Sequence, residues 1–69
     1  MSKIKIILNG EEKFLAKNTT IAALIADLGL DCKKIAIEKN LEIIHPNLFQ
    51  ETIIEEGSKI EIVHFIGGG

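Results

Sequence analysis

The chain has 69 residues, 46% of them apolar, with eight basic positions against ten acidic ones and a formal charge of −2. That length supports one core, and a domain near this size buries only about 60% of the surface its unfolded chain exposes, leaving little room for a catalytic pocket of ~300–1,000 Å³. All the basic residues are lysines, and Trp and Tyr are missing, so the arginine forks, stacking aromatics and basic face of a nucleic-acid reader are excluded.

Residues 3–8, KIKIIL, place Ile4, Ile6 and Leu8 on one side and Lys3, Lys5 and Ile7 on the other, the period of a strand with one buried face. Asn9-Gly10 follows, and both residues tolerate the positive φ of a type I′ hairpin turn. EEKFL at 11–15 reads as the returning strand. In TTIAALIADLGL, Ile21, Leu24, Ile25 and Leu28 form one apolar helical stripe. Thr19 or Thr20 can cap its first amides. Gly29 suits the left-handed position after the helix, with Leu30 folding back on Ile25.

Beyond the helix, KIAIE at 34–38 is a short strand, Lys39-Asn40-Leu41-Glu42 a turn, and EII at 42–44 another short strand. His45-Pro46-Asn47 breaks regular structure. LFQETIIEEGSK reads as a loop, with a few extended residues at 52–54 and a turn at Glu56-Gly57-Ser58. The last strand, 59–66, sets Ile60 and Ile62 on one face and Glu61 on the other. This order predicts an α+β fold: a mixed sheet of four to five strands with one helix packed on one face. The long crossover lets the last strand enter the sheet centrally, parallel to the first. A domain over residues 1–66 followed by a flexible glycine tail, Gly67, Gly68 and Gly69, is the expected organisation.

Cys32 is the only cysteine, so an intramolecular disulfide is impossible and a reducing cytoplasm is the expected compartment. The N-terminal apolar run is too short for a signal peptide or a membrane span, so no membrane partner is expected.

The glycines that follow a strand directly invite two readings. Small residues at a frayed end need no purpose. Alternatively, three residues without Cβ atoms form the thinnest peptide arm available, about 10 Å long at ~3.3–3.6 Å per residue. Ending in an ionised α-carboxylate, such an arm could thread a narrow tunnel into another protein. A carboxylate held in line can attack the α-phosphate of ATP, giving an acyl-adenylate from which a sulfur nucleophile displaces AMP. The chain offers no base, metal or phosphate cradle of its own, so an outside enzyme must supply the catalysis.

Through ILNGEE, TTIAALIADLGL, IAIEKN and above all TIIEEGSKIEIVHFIGGG, the whole chain resembles the ThiS family of thiamine-biosynthesis sulfur carriers, which have the ubiquitin-like β-grasp fold. The resemblance implies that a ubiquitin-activating-like adenylyltransferase adenylates the carboxylate of Gly69 with ATP. Sulfur from a cysteine-desulfurase persulfide then makes a thiocarboxylate, and thiazole synthase consumes it. The chain would be a carrier rather than an enzyme, binding no cofactor and staying monomeric when free. Gly67 and Gly68 match the family's flexible tail. Two departures stand out: Asn40-Leu41-Glu42 replaces a frequent Asn-Gly-Glu, and no Arg follows Pro46 where the family often has Val-Pro-Arg.

The remaining candidates carry alternatives of their own. Val63 and Phe65 alternate with Ile62, His64 and Ile66, so one set faces away from the helix. There it is either a partner-docking patch or a face covered by loops. His45 and His64, without Cys or Asp at ligand spacing, make no metal site. Cys32 reads as a small half-buried residue rather than a persulfide carrier. Glu51, Glu55, Glu56 and Glu61 are either solvated surface or the match for a basic groove. The rival functions are the small subunit of molybdopterin synthase, a ubiquitin-like protein modifier, and a plain interaction module with an inert tail.

Overall fold

A computed structural model describes residues 2–65. Five strands, β1 (Lys3–Leu8), β2 (Glu11–Ala16), β3 (Ile35–Lys39), β4 (Glu42–Ile44) and β5 (Lys59–His64), accompany one helix, α1 (Ile21–Asp27). They form a single sheet in the order β2-β1-β5-β3-β4. β1 and β5 run parallel, and every other neighbouring pair is antiparallel. The expected central, parallel placement of the last strand is therefore observed. The expected boundary between a domain and a tail after residue 66 lies outside the described residues.

Each hairpin is set by its turn. Asn9 and Gly10 take φ of 48° and 83°, and Asn40 and Leu41 take 52° and 71°. Both turns thus use two successive positive φ values, the type I′ geometry whose twist matches that of the strands it joins. The first turn has the glycine that this conformation favours. The second places an exposed leucine there, where its Cβ crowds the backbone.

The helix is bounded as its sequence dictates. The Thr20 hydroxyl accepts a hydrogen bond from the Ala23 amide at 3.1 Å, which satisfies one of the donors a helix start leaves free. Thr19 instead donates its hydroxyl to the Ala16 carbonyl at 2.6 Å. At the other end the Gly29 amide donates to Ala26 and the Leu30 amide to Ile25, both at 3.1 Å. With Gly29 at φ 72°, this is a Schellman ending, and Leu30 packs against the core.

The core lies between α1 and one face of the sheet. It is built largely from isoleucine: Ile4 and Ile6 of β1, Ile35 and Ile37 of β3, Ile60 and Ile62 of β5, against Ile21, Leu24 and Ile25 of the helix. Phe49, from the stretch expected to be loop, and Ile54, from the few residues expected to be extended, are also fully part of it. Two short 3-10 turns, Cys32–Lys34 and Pro46–Leu48, take the place of irregular chain. The first delays β3 by one residue relative to expectation. Asp31 caps it by accepting the Lys33 amide at 2.9 Å, so Lys34 is held in the turn. β5 ends at His64 rather than running on, although the Phe65 amide still reaches the Lys34 carbonyl at 2.9 Å.

Candidate functional site

β5 is the only strand flanked by both hairpins, and it leads to the C-terminal glycines. Alternation along it divides its side chains between two environments. Ile60 and Ile62 point into the core at 0% and 8% exposure, whereas Val63 and Phe65 are 51% and 61% exposed. No loop among the described residues covers that pair to the point of burial. Val63 stands opposite Ala36 of β3, and Glu38 stands opposite Ile43 of β4. Ile43 is itself 75% exposed, so the face away from the helix carries Val63 beside Ala36 in one row and Glu61, Glu38 and Ile43 in the next.

Charge is part of this face. Glu38 and Glu61 face each other directly across β3 and β5, an arrangement in which like charges repel. Neither appears in the ion pairs of the described residues, which join Lys5 to Glu12 at 3.5 Å and Lys39 to Glu55 at 3.2 Å. A surface that sets exposed apolar side chains beside acidic ones can accept a partner with matching apolar and basic groups.

The other candidate residues fall elsewhere. Gly67, Gly68 and Gly69 lie outside the described residues. Cys32 is exposed, not half-buried as its small apolar character predicts, and it lies in a 3-10 turn with no buried residue. It stands at the rim of an open apolar cleft of about 500 Å³ between α1 and the second 3-10 turn, lined also by Ile25, Ala26, Leu30 and Phe49. His45 is exposed, with Nδ1 2.7 Å from Oδ1 of Asn47, and His64 is exposed at the end of β5. Among the described residues no three His, Cys, Asp or Glu side chains gather as a metal site would require. Glu55 is engaged with Lys39, and Glu56 accepts the Lys5 amide at 3.2 Å, so two of the four acidic candidates have local work. Glu51 stays exposed.

Three contributors escape a reading of the sequence. Ile43 is legible as part of a strand, but its place on the same face as Val63 depends on the strand order. Asn9 and Asn40 are legible as turn residues, yet their side chains also reach β5. Asn9 Oδ1 accepts the Ile62 amide at 2.8 Å and Asn40 Oδ1 accepts the Lys59 amide at 2.9 Å. The asparagine at the start of each turn is the one available signal, and periodicity does not interpret it.

The five-stranded mixed sheet with its single helix defines the ubiquitin-like β-grasp class. A designed protein based on human erythrocytic ubiquitin shares it with a TM-score of 0.58 and 27% identity, over 100% of this chain and 98% of that one. Within the class the chain belongs to the ThiS family, whose model matches residues 5–69. It is 41% identical over 63 residues to the sulfur carrier protein ThiS of Bacillus subtilis, covering 90% of this chain and 96% of that protein. The crystal structure of a thiamine biosynthesis protein (ThiS) from Geobacter metallireducens superposes with a TM-score of 0.84 at 23% identity, over 96% of this chain and 100% of that one. A thiazole synthase of Paramagnetospirillum magneticum is 42% identical over 66 residues, 96% of this chain but 20% of that protein. The chain thus spans about a fifth of the length of the thiazole synthases it matches. Among the described residues no helix is long and apolar enough to cross a membrane.

Proposed function

We propose that this protein is a cytoplasmic sulfur carrier for thiazole formation in thiamine biosynthesis. One observation carries the reading: the match to the Bacillus sulfur carrier extends over nearly the whole of both chains. The family match also runs on to Gly69.

In this reading the Gly69 carboxylate is the working group. An ATP-dependent, ubiquitin-activating-like adenylyltransferase binds the nucleotide. A carboxylate oxygen attacks the α-phosphorus, pyrophosphate leaves, and Gly69 becomes an acyl-adenylate. Persulfide sulfur supplied through a cysteine desulfurase then attacks the acyl carbon and AMP departs, so that reduction of the resulting acyl disulfide by a thiol leaves a thiocarboxylate. Thiazole synthase takes up that sulfur. Gly67 and Gly68 serve as the slender lead, since they have no Cβ to obstruct a narrow channel. The carrier contributes no catalytic group, binds no cofactor and is monomeric when free.

Val63 and Phe65 are the docking residues, with Ile43 on the same face two strands away. Their exposure on the strand that leads to Gly69 supports this role, and the facing Glu38 and Glu61 favour a partner with lysine or arginine around an apolar centre. The thiazole synthases that contain a similar segment support thiazole synthase as one such partner.

The test is an intact-mass measurement on protein isolated from cells, combined with capture of bound proteins. Replacement of one oxygen by sulfur at Gly69, with thiazole synthase retained, is the expected result. Capture of a large molybdopterin synthase subunit would move the protein to that pathway, lysine adducts would make it a modifier, and an unaltered carboxylate with neither would leave a passive module.

A further inference from the structure

We propose that Asn9 is a positioning residue for the C-terminal segment: its side-chain amide fixes the path of the final part of β5. The proposal rests on the carrier reading above only for its consequence in the reaction, not for its structural content.

β1 accompanies β5 only briefly. Ile7 stands beside Lys59 and Leu8 beside Ile60, with the Ile7 amide donating to Ser58 and the Asn9 amide to Ile60, both at 2.9 Å. The next amide of β5 on that side belongs to Ile62, and by then β1 has turned into its hairpin. Asn9 Oδ1 takes the place of the missing ladder carbonyl and accepts that amide at 2.8 Å. From Ile62 onward the opposite flank of β5 is held by β3, as far as Ile35 opposite His64 and the Phe65–Lys34 bond. A strand paired on one side alone is an edge, free to bend away from its remaining neighbour. Asn9 thus keeps β5 two-sided to a point three residues before Phe65.

The molecule has an internal control. Asn40 occupies the equivalent first position of the other hairpin turn, also at positive φ. Its Oδ1 accepts the Lys59 amide at 2.9 Å, and its own amide donates to the Lys59 carbonyl at 2.8 Å. The two asparagines therefore make the same kind of bond to the same strand, one at its start and one toward its end. Glycine at either position tolerates the positive φ and removes the side chain with its acceptor oxygen. Asn9→Gly and Asn40→Gly then compare two matched losses that differ in distance from Phe65.

The experiment uses the full chain as wild type, Asn9→Gly, Asn40→Gly and Asn9→Asp, the last retaining a side-chain acceptor. Amide hydrogen exchange at Ile62, Val63, His64 and Phe65 is read against exchange of the buried Ile6 amide, which reports wider opening. Asn9→Gly is expected to speed exchange at Ile62 relative to Ile6 by about tenfold, the size of one lost buried hydrogen bond. Asn40→Gly should confine its effect to Lys59, and Asn9→Asp should restore the Ile62 amide. With the adenylyltransferase, Asn9→Gly should raise KM for the carrier several-fold with kcat nearly unchanged, while Asn40→Gly stays near wild type. Unchanged exchange at Ile62 in Asn9→Gly, or equal changes in KM for the two glycine variants, overturns the proposal. Should the wild-type chain support no adenylation, the carrier reading fails, and the exchange comparison still decides the role of Asn9.

Discussion

The two faces of the sheet use nearly the same residues for opposite ends. Toward the helix, Ile6, Ile37 and Ile60 are completely enclosed. On the other side Val63, Phe65 and Ile43 are at least half exposed, although as side chains they are just as apolar. β5 and the residue that follows it contribute to both sets between Ile60 and Phe65. Apolar character therefore states only that a side chain gains by leaving water. What it leaves water for, whether its own core or another molecule, depends on whether anything in the chain lies over it.

That contrast can be broken most sharply at Ile60. Its replacement by alanine should cost about 2–5 kcal/mol, since the site is surrounded and can collapse only in part. A loss that large, read by urea denaturation, can bring a domain of this size close to unfolding at room temperature. Phe65→Ser is the matching substitution on the outer side. Its stability should change by no more than about 0.5 kcal/mol, while affinity for the adenylyltransferase or thiazole synthase, measured by titration calorimetry, falls at least roughly tenfold, about 1.4 kcal/mol. A Phe65→Ser chain that unfolds like Ile60→Ala would erase the distinction between the faces.

Leu41→Gly probes the hairpin next to Ile43. Removing a leucine from positive φ should raise stability by up to about 1 kcal/mol, the relief of backbone crowding less the entropy that glycine loses on folding. A fall in thermal midpoint would show that Leu41, exposed as it is, makes contacts that outweigh its strain. The smallest effect belongs to Glu38→Gln, which ends the repulsion with Glu61 and should stabilise by about 0.2–1 kcal/mol. Association with a basic partner should slow in the same variant, and its dependence on salt should flatten. A faster association would indicate an acidic partner instead.

Much of the fold is legible in the sequence where the cause is local. Asn9-Gly10 announces a hairpin, Thr20 a helix start, and Gly29-Leu30 a helix end, because each acts on amides a few residues away. The central position of β5 follows from the long crossover. Other features have distant causes. Phe49 and Ile54 join the core through a stretch with no strand or helix period, so nothing marks them as inward-facing. The bond from Asn9 to Ile62 spans 53 positions and that from Asn40 to Lys59 spans 19, and no local pattern registers such a pairing. At the candidate site the sequence singles out Val63 and Phe65 by alternation along one strand. Ile43 joins them only once β4 is known to lie two strands away.

The central place of β5 also has a mechanical consequence. A load applied along the strand from its C-terminal end is shared between β1 and Asn9 on one flank and β3 on the other. Hydrogen bonds loaded lengthwise must yield together, whereas an edge strand can be peeled one bond at a time. A carrier whose last strand lies inside the sheet can therefore be gripped and pulled by its end without coming apart.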